Sequence, residues 1–276
     1  MPIFWALIQS FYFSIVHPYQ IPYNSKESEF QFALKTLRRI CLGKKTLLAS
    51  ILALIIVLAF FELTNIDLFI QEHLYLTHEK VWVLKDPQQI YRRFFYTGIK
   101  IPIYIVGFSA LISSFISWKK NKWHEYKKGL IIVSLSLIIL PLSVAVVGKN
   151  ATNVQCPSDL SHFSGKIPYV KLFDSYPKNP NSPDGKYPRG HCFPAGHASG
   201  GFALLGFVCF FRERHRKIWA FIISMSIGSV MGVYQMLRGA HFLSHHLITM
   251  ILALILVSSL NLLIKDFSHE SSSTEK

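Results

Sequence analysis

The sequence predicts an all-α fold, a polytopic bundle of about six membrane helices, and its composition and its apolar blocks carry this prediction. Of the 276 residues, 51% are hydrophobic and 16% are charged, and the mean hydropathy is +0.32. A soluble domain is typically about 25% charged. Six apolar blocks approach the roughly 20 residues that cross a bilayer. They cover residues 46–63, 101–118, 130–147, 200–211, 218–237 and 247–264, and the small residues 197–201 lengthen the short fourth block.

Basic stretches orient these spans. Residues 35–45, 118–128 and 211–217 read KTLRRICLGKK, WKKNKWHEYKK and FRERHRK, and six spans place all three on one side. Short basic loops mark the cytoplasmic side of a membrane protein. The net charge of +14 therefore indicates orientation among membrane lipids, and no nucleic acid partner is expected. The loops at 65–100 and 148–196 then lie on the outer side.

The flanking segments complete the predicted domain plan. Residues 1–45 form an N-terminal interfacial and cytoplasmic segment, because their aromatic start lacks the basic region and the cleavage site of a signal peptide. Residues 46–265 form the six-helix domain, and residues 266–276 form a disordered cytoplasmic tail. Within the outer loop, the basic and aromatic residues 90–100 predict a helix that lies on the membrane surface.

Polar residues from three distant stretches meet at the outer face. Residues 148–160, 189–201 and 235–247 read GKNATNVQCPSDL, RGHCFPAGHASGG and QMLRGAHFLSHHL, and each adjoins the outer end of a predicted span. Polar and ionisable side chains are costly at membrane depth, so they mark candidate functional residues. The sequence therefore predicts one site, built from these three stretches.

The residue types and their spacing predict that this site binds phosphate. If this stretch is helical, Arg238, His241 and His245 follow i, i+3, i+7 spacing and share one stripe that can bind an anion and transfer a proton. An interfacial cap whose side chains only reach for water is the alternative. Gly196 and His197 stand at the start of the fourth span, where uncapped N–H groups and the helix dipole attract phosphate.

Lys149 adds a cation at the outer end of the third span. By itself, a lysine at this position is an interface anchor. Together with an arginine, two histidines and a helix N-terminus, it completes a phosphate clamp. Phosphoryl transfer requires positive charge around the phosphorus, an in-line nucleophile and a proton for the leaving group.

Two of the four cysteines, Cys156 and Cys192, fall in the same outer loop. In an oxidising compartment they can form a disulfide that closes this loop and constrains the unfolded chain. Two separate thiols are the alternative.

The three stretches resemble the motifs of the type 2 phosphatidic acid phosphatase superfamily. Its pattern is Lys, six residues and Arg-Pro; then Pro-Ser-Gly-His; then Ser-Arg, five residues, His, three residues and Asp. Lys149 followed by Cys156-Pro157 keeps the first spacing, and residues 194–197 read Pro-Ala-Gly-His. Residues 239–244 resemble the core of the third motif. The resemblance implies a six-span membrane phosphatase without metal or other cofactor, with His241 as the nucleophile that forms a phosphohistidine and His197 as the general acid.

Several positions depart from this pattern. Cys156 replaces the arginine of the first motif, Ala195 replaces the serine of the second, and Gln235 and His245 replace the arginine and the aspartate of the third. Arg238 lies one turn along the same face as Gln235 and can reach the same phosphate. Other substitutes are expected from the outer loop, with Arg189 as a cation and Asp159, Asp174 or Asp184 as a carboxylate. His245 itself can accept the hydrogen bond of the nucleophilic ring.

The substrate predicted from these residues is a phosphorylated lipid at the outer face of a bacterial-type inner membrane. Lys149, Arg189 and Arg238 would hold its phosphate, with the backbone around Ala195 and Gly196. Phosphatidic acid, phosphatidylglycerol phosphate, polyprenyl diphosphate and phosphorylated lipid A all fit.

Two other functions stay open from the sequence. The first is a metal-dependent membrane hydrolase or a metal-handling protein, in which zinc is bound by a cluster of histidines: His197, His241, His245 and either His191 or His246. Cations such as Lys149 and Arg238 beside a dication disfavour this function. The second is a non-catalytic transporter or scaffold, for which charged residues would be expected within the spans.

Overall fold

The computed structural model describes residues 42–84, 90–120 and 123–265, and helices make up most of it. The predictions of an interfacial N-terminal segment and of a disordered tail fall largely or wholly on residues outside these ranges. The helices are α1 (Lys44–Leu63), α2 (Ile66–His73), α3 (Ile99–Lys120), α4 (His124–Leu142), α5 (Gly196–Phe210), α6 (Arg214–Leu237) and α7 (Leu243–Leu263). A small hairpin pairs β1 (Tyr75–Leu76) with β2 (Val81–Trp82) in antiparallel register.

The all-α polytopic fold predicted from the sequence is confirmed. Among the described residues, five helices are long and apolar enough to cross a membrane: α1, α3, α4, α6 and α7. The fourth apolar block of the sequence forms α5, which begins at Gly196 and includes a 3-10 turn at Leu204–Gly206. At 1.5 Å per residue, α5 is about 22 Å long, which is less than the roughly 30 Å of a hydrocarbon core.

Two long helices contain π-helical turns near the site. Ile90–Arg92 and the π-helical segment Arg93–Gly98 run without a break into α3. The predicted surface helix at 90–100 is therefore wrong as a separate element, because these residues form the first turns of a long helix. Similarly, α4 continues through π-helical turns at Ser143–Gly148 into the turn Lys149–Ala151.

The helices alternate in direction between two ends of the bundle. At one end, the Asn261 side chain donates to the Leu42 carbonyl at 2.6 Å, and Arg212 pairs with Glu125. These contacts place the start of α1, the start of α4, the connection from α5 to α6 and the end of α7 at the same end of the bundle, which we call the opposite end. We call the other end, which holds the α6–α7 turn, the site end. Both α3 and α5 begin at the site end and run away from it.

The short helix α5 lies at the centre and contacts α4, α6 and α7. Small residues permit this packing, as expected in a membrane where close van der Waals contact drives helix association. A Cβ atom on Gly201 would lie 2.7 Å from Cα of Gly228 on α6. A Cβ on Gly206 would lie 2.9 Å from Cα of Val133 on α4. Phe202, which is fully buried, fills the space beside Gly228.

The lipid-facing surface is carried mainly by α1 and α3. Their large apolar side chains are exposed in the isolated chain, including Leu48, Leu52, Ile55, Tyr104, Ile105 and Phe108. These two helices are among the least buried of the candidate spans. Membrane lipids are therefore their expected neighbours.

A polar cap made of α2, the hairpin and the loop 152–195 covers the site end. Tyr75, Leu160, Phe163 and Phe242 form its apolar core. The turn between α6 and α7 is locked under this cap, because Gly239 has a φ of +70° and a Cβ there would meet the ring of Trp82 at 2.1 Å.

Asp67 of α2 fixes the start of α7. Its Oδ1 accepts the backbone N–H of Ser244 at 3.0 Å, and its side chain is buried. Burial raises the pKa of Asp67 to about 6, although hydrogen bonds from the side chain and backbone of Ser244 and from the backbone of Leu243 work against this rise. An acidic acceptor at a helix N-terminus satisfies N–H groups that have no partner within the helix.

We expect Gly201→Ala to lower the thermal midpoint of the protein purified in detergent, because the added Cβ meets the backbone of Gly228. Overpacking of this kind costs about 1–3 kcal/mol. Gly107→Ala is the matched control, since a Cβ on Gly107 would meet only the side chain of Leu137 at 3.6 Å. Equal midpoints for the two variants would contradict close packing of α5 on α6.

We also expect Asp67→Asn to change how stability depends on pH. Because the folded protein binds the Asp67 proton more tightly than the unfolded chain, the wild type loses stability as pH rises from about 4 to about 6. The asparagine variant lacks this loss, so it should gain on the wild type by on the order of 2–3 kcal/mol between these values. Thermal unfolding at pH 4.5 and 7 measures it, with the exposed Asp174→Asn as control. A pH-independent difference would refute the assignment.

Candidate active site

Three imidazoles meet at the site end: His197 on α5, His245 on α7 and His241 in the turn between α6 and α7. The helical stripe predicted for Arg238, His241 and His245 is therefore wrong, because the chain turns between Leu237 and Leu243. The ring centroids of His197 and His241 are 5.7 Å apart, and those of His241 and His245 are also 5.7 Å apart. His241 and His245 are almost fully buried, whereas His197 is half-buried. The Nδ1 atoms of His241 and His245 lie 3.4 Å apart. His197 and His241 therefore stand where two groups can act on one small substrate.

A direct join between α5 and α7 brings these rings together. The backbone N–H of Ala195 donates to Thr249 Oγ1 at 2.9 Å and to the His245 carbonyl at 3.2 Å. The Thr249 hydroxyl also donates to the His245 carbonyl, at 2.8 Å. Because Ala195 is the residue before α5, this join sets the start of α5 against the first turn of α7. The N–H of Ala195 is thereby engaged by the scaffold, so the N–H groups that can face a ligand begin at Gly196.

The start of α5 is otherwise open. No side chain caps its N-terminus, and Ser199 instead donates to the Gly196 carbonyl at 2.7 Å. Uncapped N–H groups at a helix start form an anion site in combination with the helix dipole.

The loop that leads to α5 is fastened to the loop that follows Lys149. The N–H of Cys192 donates to the Val154 carbonyl at 3.0 Å, and the N–H of Gly190 donates to Asn153 Oδ1 at 2.8 Å. Thr152 Oγ1 donates to the Phe193 carbonyl at 2.8 Å. These bonds hold the two segments side by side.

A disulfide between Cys156 and Cys192 joins the same two segments, with Cα atoms 5.2 Å apart. Gly148 allows Pro194 to pack directly on the end of α4, since a Cβ on Gly148 would lie 2.5 Å from Pro194 Cδ. As a result Lys149 reaches α5, and its Nζ lies 3.7 Å from the point that a Cβ on Gly196 would occupy.

Cations from three parts of the chain act on His197. The charges of Lys100, Lys149 and Arg238 all act on its ring, and that of Lys149 also acts on His241. The guanidinium carbon of Arg238 lies 5.8 Å from the centroid of the Tyr234 ring, which orients it. Arg189 is exposed and donates to the Asn150 carbonyl, so it lies at the rim.

The surroundings of His241 favour the neutral form of its ring. Burial, together with the positive charge of Lys149, lowers the pKa of His241 to about 3, while a hydrogen bond with the backbone of Cys192 opposes the change. A ring with this pKa is neutral near pH 7 and keeps a lone pair on one nitrogen. Its Nδ1 faces His245, so Nε2 is the nitrogen on the other side of the ring.

The carboxylates suggested by the sequence do not approach His241. Asp159, Asp174 and Asp184 are exposed in the cap, and Asp184 accepts bonds from Ser182 and Lys186. The buried acid near the site is Asp67, which the sequence reasoning missed. It binds the backbone of Ser244 beside His245, and a single acidic residue in an apolar stretch gives no signal of that role.

Gln235, at the family's arginine position, is buried, and its Oε1 has no hydrogen-bond partner among the described residues.

The histidines do not form one metal-binding set. In the described part of the chain, the grouping with ligand atoms within 4.8 Å of one another is Cys192, His241 and His245. The sulfur of Cys192 is bonded to Cys156, and a disulfide sulfur is not the thiolate that binds metal. His246 packs on Phe202 with ring centroids 5.1 Å apart, in space left by Gly232. His191 is exposed at the rim. These residues fit a zinc centre poorly.

Comparison with known proteins identifies the family. The model of the PAP2 superfamily matches residues 129–267, which is about half of the chain and includes Lys149, His197 and His241. Neither a curated protein nor a solved structure matches the chain significantly. The match agrees with the order of the three motifs and with the way the fold gathers them. The chain therefore belongs to the PAP2 superfamily and is a membrane phosphatase that acts on phosphorylated substrates.

Proposed function

We propose that this chain removes or transfers a phosphate from a lipid phosphate or diphosphate, without a metal, through a phosphohistidine on His241. The observation that carries the proposal is the pair of rings, His241 and His197, 5.7 Å apart beneath a group of cations at one end of a membrane bundle. Two imidazoles at this separation suit a nucleophile and a proton donor on opposite sides of one phosphorus atom.

In the first step, Nε2 of His241 attacks the phosphorus, and the bond from phosphorus to the leaving oxygen breaks. His197 gives a proton to that oxygen. In the second step, water or the hydroxyl of a second lipid attacks the phosphohistidine, and His197 takes the proton from the attacking oxygen. The phosphoryl group leaves as inorganic phosphate or on the second lipid, and His241 returns to its neutral form.

His245 takes the orienting role that the family gives to an aspartate. Its Nδ1 lies 3.4 Å from Nδ1 of His241, and the edge of its ring is held by Phe193 and Phe242 at centroid distances of 5.2 and 5.4 Å. A neutral ring that accepts the N–H of His241 fixes which nitrogen carries the attacking lone pair.

The phosphate is bound by Lys149, by Arg238 and by the N–H groups at the start of α5 from Gly196 onward. Positive charge and oriented N–H groups stabilise the oxygens as charge develops in the transition state. A guanidinium has five N–H donors, so the bond from Arg189 to Asn150 leaves others for a phosphate oxygen at the rim. The bound anion in turn favours the protonated form of His197 that the first step needs.

A lipid substrate suits the location of this site. The exposed apolar faces of α1 and α3 indicate a bilayer around the bundle, and the site lies at one end of it. A head group can thus enter while its tail stays in the membrane. Basic residues 211–217 lie at the opposite end, which supports an outward-facing site in a bacterial-type inner membrane.

We expect His241→Ala to reduce phosphate release from its best lipid substrate by about 10³-fold or more. Purified protein is assayed with phosphatidic acid, phosphatidylglycerol phosphate, polyprenyl diphosphate and lipid A, in the presence and absence of a chelator. His191→Ala, at the exposed rim, is the control. Substantial turnover by the His241 variant would exclude the nucleophile, and loss of wild-type activity with chelator would favour the metal-dependent alternative.

We expect Arg238→Ala to lower kcat/KM by about 10–100-fold, the loss typical of a charged hydrogen bond. Gln235→Ala should have a smaller effect, because its uncharged amide is buried beside the turn. Arg212→Ala, which removes an ion pair at the opposite end, is the charge-matched control. A larger loss for Gln235→Ala than for Arg238→Ala would contradict the proposal that Arg238 binds phosphate in place of an arginine at position 235.

A further inference from the structure

We propose that Lys100, on α3 and outside the region that matches the family, binds the leaving-group phosphate of a lipid diphosphate. This inference rests on the proposed function and narrows its substrate class. It adds α3 to the site, with a residue that none of the three motifs contains.

The packing of α3 on α5 places Lys100 level with His197. Ile103 is buried, and its Cδ1 and Cγ2 atoms both lie 3.9 Å from the point that a Cβ on Gly200 would occupy. Lys100 precedes Ile103 by one helical turn, and His197 precedes Gly200 by one turn. Both helices begin at the site end, so Lys100 and His197 each lie one turn nearer to that end than the Ile103–Gly200 contact. The two residues are therefore at the same level of the bundle.

Further contacts fix this part of α3. Ile103 packs with Leu204 of α5 and Met231 of α6. Farther toward the site end, Phe95 stacks on Tyr234 with ring centroids 5.8 Å apart, and the same Tyr234 ring supports Arg238. The helix that carries Lys100 is therefore anchored on both sides of it.

The level of Lys100 beside His197 assigns it to the leaving-group side. The contact of Ile103 with Gly200 sets that level, and the charge of Lys100 is among those that act on the His197 ring. His197 donates its proton to the leaving oxygen, so a cation at its level on α3 faces the departing group.

The chemistry of the leaving group then selects the substrate class. When a lipid diphosphate is cleaved at its terminal phosphorus, the departing group is a lipid monophosphate, which carries negative charge on its own phosphate oxygens even after His197 has protonated the leaving oxygen. An ammonium group at this place stabilises that charge in the transition state. A lipid monophosphate instead releases an alcohol, which is neutral once His197 has protonated it, and Lys100 has no charge to bind there.

The test compares farnesyl diphosphate with farnesyl monophosphate, which share one tail. Lys100→Met keeps the aliphatic stem and should lower kcat/KM for the diphosphate by about 10–100-fold. Its effect on the monophosphate should stay within about threefold, and Lys100→Arg should restore most of the diphosphate activity. Lys166→Met, at an exposed lysine of the cap, is the control.

Thermal midpoints show that each variant is folded, and Lys100→Arg provides a second measurement if the methionine variant is not. Equal losses on both substrates, or no loss on either, would overturn the inference while the phosphatase activity of the wild type stands. Failure of the wild type to cleave either compound, together with every lipid of the panel above, would instead remove the proposed function and this inference with it.

Discussion

The site depends on the hydrogen bonds from the Ala195 N–H to Thr249 and to the His245 carbonyl. They join the residue before α5 to the first turns of α7, and so set His197 against His241. Both partners are buried, where a lost hydrogen bond leaves polar groups without water and is costly. The other elements of the site reinforce this join. Asp67 holds the start of α7 from outside, and the disulfide holds the segment that leads into α5.

The glycines of α5 follow from the same constraint. A short helix that must keep its first turn on α7 can reach its neighbours only if their backbones approach closely, and Gly201 and Gly206 permit that approach. The helix N-terminus then stays open to a ligand instead of being covered by a cap. The run of small residues after His197 is thus a packing requirement that also leaves an anion site exposed.

Local pattern in the sequence was enough to predict the helical membrane fold and the family. The apolar blocks, their basic flanks and the Pro-Ala-Gly-His stretch each depend on residues close in the chain. Contacts made across the fold were beyond that reach. Residues 90–100 continue into the spanning helix, and Asp67 accepts a hydrogen bond from Ser244. Both features depend on packing between distant segments, which the spacing of nearby residues does not predict. Lys100 gave no motif signal for the same reason, since its level in the bundle is set by the packing of α3 on α5.

The exchange of an aspartate for His245 changes the electrostatics of the whole site. A carboxylate beside His241 would offset part of the charge of the nearby cations, whereas a neutral imidazole offsets none. The buried carboxylate of Asp67 is engaged by the backbone of Ser244, so it does not take over that role. In a medium of low dielectric constant, a bound anionic substrate then compensates the positive charge of these cations. Such a site gains most from a ligand with several negative charges, and a diphosphate carries more of them than a monoester.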